Sequence, residues 1–155
     1  MNAKYGATRT AQRGGRLLKE LSLVGSPAQA ITTSKMYQGS TPDVSSGVSL
    51  VVFWEKWCPH CRREVPALQA TYDKYKGKMG FVGLTKQSKN TSDEDVQSFI
   101  DENKITYPMG KEDGSASNAY AVSGIPAAAV VKDGKVVWRG HPGSLSDDMI
   151  DGFLN

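Results

Sequence analysis

Cys58 and Cys61 are the only cysteines of the chain. They stand in WEKWCPHCRREVP, residues 54–66, with Pro59 and His60 between them. Two thiols at i and i+3 serve three different chemistries: a redox pair, part of a metal clip, or buried sulfurs with no reaction to perform. A redox pair needs one sulfur that ionises and a second within reach to close a disulfide. A structural zinc site needs four ligands, and the chain has only two histidines, His60 and His141, to add to the two cysteines. His60 sits inside the turn and is badly placed to share an ion with both sulfurs. A copper or zinc chaperone, with His60 or His141 as third ligand, is the rival reading from outside enzymology.

What the pair can do depends on the elements that carry it. SLVVFW, residues 49–54, is a continuous apolar run rich in β-branched and aromatic residues, as a central strand covered on both faces requires. After the cysteines, Val65, Leu68, Tyr72 and Tyr75 recur at helical spacing down to Gly77. Pro59 suits a first helical turn and Pro66 predicts a kink. Cys58 therefore falls at a helix N-terminus, where unpaired N–H groups and the helix dipole favour a thiolate. Cys61 lies one turn further on, beneath it. This geometry assigns Cys58 the attack and Cys61 the resolution of the mixed disulfide. An imidazole at His60 adds a donor or a partial positive charge, which stabilises the reduced form and raises the potential.

The remaining pattern completes a scaffold. MGFVGLT (79–85) reads as a second strand, and TSDEDVQSFIDENK as a helix that Ser92 and Asp95 start. ITYPM is extended, and SASNAYAV makes one or two helical turns. GIPAAAVV, DGKVVWRG and SDDMIDGFL read as strand, strand and helix, with a hairpin turn at Asp133-Gly134 and an N-cap at Ser146. Leu17 to Leu23 supports a short helical turn that Gly25-Ser26-Pro27 ends, and residues 28–47 read as a loop or weak hairpin. The order β-α-β-α-β-β-α predicts an α/β domain, a central mixed sheet with helices on both faces.

Composition narrows the classes. At 155 residues, 39% apolar and 23% charged, the chain suits one soluble globular domain, with no run approaching the roughly 18 to 20 apolar residues of a spanning helix. The net charge of +3 is unevenly placed: Lys4, Arg9, Arg13, Arg16 and Lys19 against Glu20 give the first 22 residues +4. Residues 1–22 therefore read as a basic flexible leader or linker, and 23–155 as the domain. A basic tail is no nucleic-acid surface, which needs its stripe on the folded body. A juxtamembrane segment that meets anionic lipid is the sharper reading of the tail. LLKELSLV, broken by Lys19 and Glu20, is no secretory signal.

FWEKWCPHCRREVPAL resembles the active-site segment of thioredoxin-fold oxidoreductases, and its CRREVPAL ending is similar to the membrane-associated TlpA and ResA-like branch. GIPAAAVVKDGKVVWRG resembles the proline loop and terminal hairpin of that family, and VGSPA (24–28) its leading motif. The likeness runs from Val24 to the C-terminus. It implies a thioredoxin-like fold and a thiol-disulfide oxidoreductase with a WCPHC active site. Pro126 would be the cis-proline opposite the cysteines, with Ile125 and Trp57 beside it to bind substrate. Pro59, His60 and Glu64 would tune the thiolate. Glu64 matches an acidic group that ResA-like members keep three positions after the second cysteine.

The resemblance further implies no cofactor beyond the Cys58–Cys61 disulfide. The expected partners are protein thiols or disulfides and an upstream redox protein, with roles in cell redox homeostasis or cytochrome c biogenesis. It implies a monomer, no nucleic acid, and a periplasmic or extracytoplasmic location with a membrane tether possible outside this chain. The departures are informative. Val52 replaces the buried Asp of thioredoxins, and Glu64 is the candidate to take over its role. Pro-His is the dipeptide of strongly oxidising DsbA-like proteins, yet the roughly 40 residues from Lys86 to Pro126 leave no room for their helical insertion. Ala127 stands where a Thr is common. The peroxidatic pattern P-x-x-x-T/S-x-x-C is not met, because Val51 and Glu55 occupy its places. The branch suggests a reductant and the dipeptide an oxidant or isomerase, a choice the reading leaves open.

Overall fold

The computed structural model describes residues 22–155, so the basic leader falls almost wholly outside the described residues. In chain order the elements are β1 (Lys35–Gln38), β2 (Val48–Phe53), α1 (Pro59–Tyr75), β3 (Gly80–Thr85), α2 (Asp93–Glu102), β4 (Met109–Lys111), α3 (Ser115–Ala119), β5 (Ala127–Lys132), β6 (Lys135–Gly140) and α4 (Asp147–Leu154). The six strands form one mixed sheet in the order β1-β4-β3-β2-β5-β6.

Every residue of β2 is buried, as its continuous apolar run demands. It pairs in parallel with β3 and antiparallel with β5, so it has no free edge. Its side chains alternate between two cores. Leu50, Val52 and Trp54 face α1, α2 and α4, where Val65, Leu68, Val96, Ile100 and Ile150 pack against them. Val51 and Phe53 face the opposite side, with Ala116 of α3 and Tyr120 just beyond it. The sheet therefore carries helices on both faces, as the alternation of elements predicts.

Local signals translate directly. Ser92 accepts the Asp95 N–H at 3.0 Å while the Asp95 carboxylate accepts the Ser92 N–H at 3.0 Å, a complete capping box. Ser146 Oγ accepts the Met149 N–H at 3.2 Å. Asp133 and Gly134 both have positive φ, 48° and 83°, which the tight β5–β6 hairpin requires. The helix α1 continues through Pro66, and within it the Val65 carbonyl accepts the Tyr107 hydroxyl at 2.7 Å.

Residues 28–47 differ in one respect from the loop or weak hairpin expected of them. Lys35–Gln38 is an edge strand, paired antiparallel with β4 from the far side of the fold. The Gln38 amide secures it by donating to the Ile105 and Tyr107 carbonyls at 2.8 and 2.9 Å. These partners lie about 70 residues away, beyond any local pattern.

Candidate active site

The end of β2 and the start of α1 place the two sulfurs. Cys58 is the N-cap of α1 with extended backbone (φ −82°, ψ 119°), Pro59 takes the first helical position, and no side chain caps the first turn. The Cys58 N–H donates to the Glu55 carbonyl at 3.1 Å and its carbonyl accepts the Arg62 N–H at 3.0 Å. Cys61 comes one turn later and points into the helical core. Cys58 keeps 6% of its surface exposed and Cys61 none. Both are free thiols. Burial pushes the Cys61 thiol up to about 12, a backbone hydrogen bond at Glu55 works against this, and the neighbouring Cys58 adds to it.

The opposite wall comes from the loop before β5. The register Phe53↔Ala127 brings that loop to the same end of the sheet as the cysteines. Ile125-Pro126 is a cis peptide. The Ile125 carbonyl accepts the Cys58 thiol at 3.8 Å, so its backbone faces the sulfur at the distance of a weak S–H···O contact. Trp57 is half-buried, and its indole N–H donates to Ser88 Oγ at 3.1 Å. The Lys89 ammonium lies 3.8 Å from the centre of the indole. Trp57 and Ile125 both line a pocket of about 210 Å³ that opens beside the site.

The expected tuning groups lie further out. His60 is exposed, and its Nδ1 accepts the Arg63 guanidinium at 2.7 Å. Pro59 is exposed as well. Glu64 is half-buried and its Oε2 faces the 3₁₀ turn Pro142–Ser144, where a Cβ on Gly143 would stand 3.2 Å from it. His141 caps that turn through Nδ1, which accepts the Gly143 N–H at 2.9 Å. Among the described residues no three His, Cys, Asp or Glu side chains are grouped to hold a metal ion.

Two buried carboxylates escaped the sequence reading. Glu55 is 4% exposed and accepts the Lys86 N–H at 2.9 Å, the Ser88 N–H at 2.9 Å and the Ser88 hydroxyl at 3.0 Å. Glu112 is 2% exposed and accepts the Gly114 N–H at 2.7 Å and both the N–H and hydroxyl of Ser117. Both line the pocket beside Cys58. A glutamate that directly follows FW, at the end of a strand buried on both faces, was the available sign for Glu55, since such a carboxylate must find donors nearby.

A dithiol at the junction of a central strand and a helix, faced by a cis X-Pro loop on a mixed sheet, defines the thioredoxin-like class of thiol-disulfide oxidoreductases. The chain belongs to the AhpC/TSA family, whose model matches residues 24–139. It is 25% identical over 120 residues to the thioredoxin-like protein YneN of Bacillus subtilis, covering 77% of this chain and 71% of that one. It is 30% identical over 104 residues to the thiol-disulfide oxidoreductase ResA of Oceanobacillus iheyensis, covering 66% of this chain. It spans 53% of that relative, a little over half its length. Among solved structures, the thioredoxin domain of a thiol-disulfide oxidoreductase from Bacteroides vulgatus superposes with a TM-score of 0.68 at 27% identity, over 85% of this chain and 98% of that one. A thioredoxin-like protein solved in its oxidised form has a TM-score of 0.73 at 18% identity, over 84% and 95%, and supports the fold.

Proposed function

We propose that the chain exchanges dithiol for disulfide with partner proteins through WCPHC, with Cys58 as nucleophile and Cys61 as the resolving thiol. The observation that carries this reading is the unequal burial of the two sulfurs: a partner's disulfide can reach Cys58 and cannot reach Cys61. The Cys58 thiolate attacks one sulfur of the partner's disulfide, forming a mixed disulfide and releasing the other sulfur as a thiolate, which takes up a proton. Cys61 then loses its proton and attacks Cys58. The Cys58–Cys61 disulfide forms, and the partner leaves with both thiols reduced. Run backwards, the same two steps oxidise a partner.

Ile125 and Pro126, with Trp57 across from them, bind the partner's chain: the Ile125 backbone offers an extended segment an edge to pair with. Pro59, His60 and Glu64 set the potential from outside the buried sulfurs. The reading includes an upstream redox protein and an extracytoplasmic setting with a tether outside this chain. It also includes a monomeric state and a role in cell redox homeostasis such as cytochrome c biogenesis. The likeness to ResA and the TlpA-type motif support these. No helix of the described residues is long and apolar enough to cross a membrane.

Two measurements test it. Cys61→Ser accumulates mixed disulfides with peptide substrates while Cys58→Ser forms none; trapping by Cys58→Ser instead reverses the roles. Equilibration with glutathione yields the potential. A value near thioredoxin's, about −270 mV, makes the chain a reductant, and one near DsbA's, about −120 mV, an oxidant.

A further inference from the structure

Glu55 has no part in the exchange steps, yet its backbone and side chain meet both halves of the site. Its carbonyl takes the Cys58 N–H at 3.1 Å. Its carboxylate turns the other way and collects three donors from residues 86–88. That loop is unusual in its backbone. Gln87, Lys89 and Asn90 have φ of 60°, 56° and 60°, a region that side chains other than glycine occupy when surrounding bonds hold them there. Ser88, at its centre, is held by Glu55 through both N–H and hydroxyl, and Ser88 Oγ in turn takes the Trp57 indole N–H. Lys89, next in the chain, lies over the face of the same indole. Besides its packing against the core, Trp57 thus takes its indole hydrogen bond and its cation contact from the loop that Glu55 pins.

We infer that Glu55 is a positioning residue for exchange: through Ser88 and Lys89 its carboxylate fixes the Trp57 indole beside Cys58, and so sets how a partner's disulfide is presented to that sulfur. The inference rests on the exchange reading and adds a residue to it. The carboxylate is suited to this because it is acceptor-only and three donors converge on it. An amide of the same size keeps one acceptor oxygen and must turn its NH₂ group toward either the Lys86 or the Ser88 donors, so Glu55→Gln loses one side of the anchor while preserving bulk.

The test uses the full chain labelled with 5-fluorotryptophan, with the Trp57 resonance assigned by Trp57→Phe. Glu55→Gln and Ser88→Ala are each expected to move the Trp57 resonance while that of Trp138 stays in place. Each is expected to lower kcat/KM for a disulfide peptide by about tenfold, and the double variant to fall no further than the singles, because both remove one connection. Lys89→Met, at an exposed position that carries no fold, is expected to move the same resonance and change kcat/KM in the same direction. An unmoved Trp57 resonance in Glu55→Gln and Lys89→Met, or losses that multiply in the double variant, overturns the inference. Absence of turnover in the wild-type chain refutes exchange itself, whereas failure of the inference leaves wild-type turnover intact.

Discussion

If Cys61 resolves the mixed disulfide as proposed, its burial sets the pace of the second half of exchange. Its thiol is raised from 9.0 to about 12, chiefly because no water reaches it. In the mixed disulfide the contribution of Cys58 is gone, but the burial remains. At neutral pH a thiol at about 12 is ionised to about one part in 10⁵, against about one in 10² at 9.0, so with the Cys58 contribution removed the deficit is at most about a thousandfold. A more basic thiolate is also a better nucleophile, and a Brønsted slope of about 0.4–0.5 over a gap of about three pH units returns about 20-fold. Resolution should therefore run slower at neutral pH than for an exposed thiol, by up to about 50-fold. Its rate should climb about tenfold per pH unit without levelling until well above pH 9. Stopped-flow mixing of reduced protein with excess disulfide peptide, followed by tryptophan emission, separates the steps. The first phase scales with peptide concentration and the second, resolution, does not. A second phase that levels off at or below about pH 9 refutes the reasoning, because Cys61 would then ionise as an exposed thiol does.

Three further outcomes follow from the described geometry. In the Cys58→Ser background, burial still holds the folded-state Cys61 thiol above its unfolded value, so its stabilisation is complete below about pH 9 and is lost as pH rises from there through the raised folded-state value. The stability difference from Cys58→Ser/Cys61→Ala, measured by urea titration, should shrink by about 1.4 kcal/mol per pH unit across that window. Ser92→Ala removes one half of the α2 capping box and should cost about 1 kcal/mol, read as a lower urea midpoint at unchanged m-value. Gly83→Ala places a Cβ 2.5 Å from the sulfur of Met109, itself fully buried, and should cost about 1–3 kcal/mol on the same assay.

Much of this fold was legible because its signals are local. The apolar run of β2, the Ser92 cap and the Asp133-Gly134 turn each lie within a few residues of the geometry they specify. The cysteines were legible for the same reason: an i, i+3 pair between a strand and a helix places one sulfur at the mouth and one below it. β1 was not, since KMYQ becomes a strand only when β4 arrives to pair with it. The buried carboxylates were hidden by a similar logic. Glu55 and Glu112 look like surface residues until the turns that supply their donors close around them. Pro126 stood between the two cases: its role came from likeness to a family, and the register of β5 against β2 gives that likeness its place in space.

That register also has a meaning in time. The facing loop lies about 65 residues after Cys61, so at the usual 5–20 residues per second the ribosome releases it roughly 3–13 s after the cysteines. Until β5 docks against β2, nothing faces Cys58, and Cys61 lacks part of the core that seals it. Throughout those seconds the nascent chain presents two ordinary thiols, open to any oxidant or alkylating agent nearby. The discrimination between sulfurs seen in the folded chain is therefore acquired late, once β5 has docked.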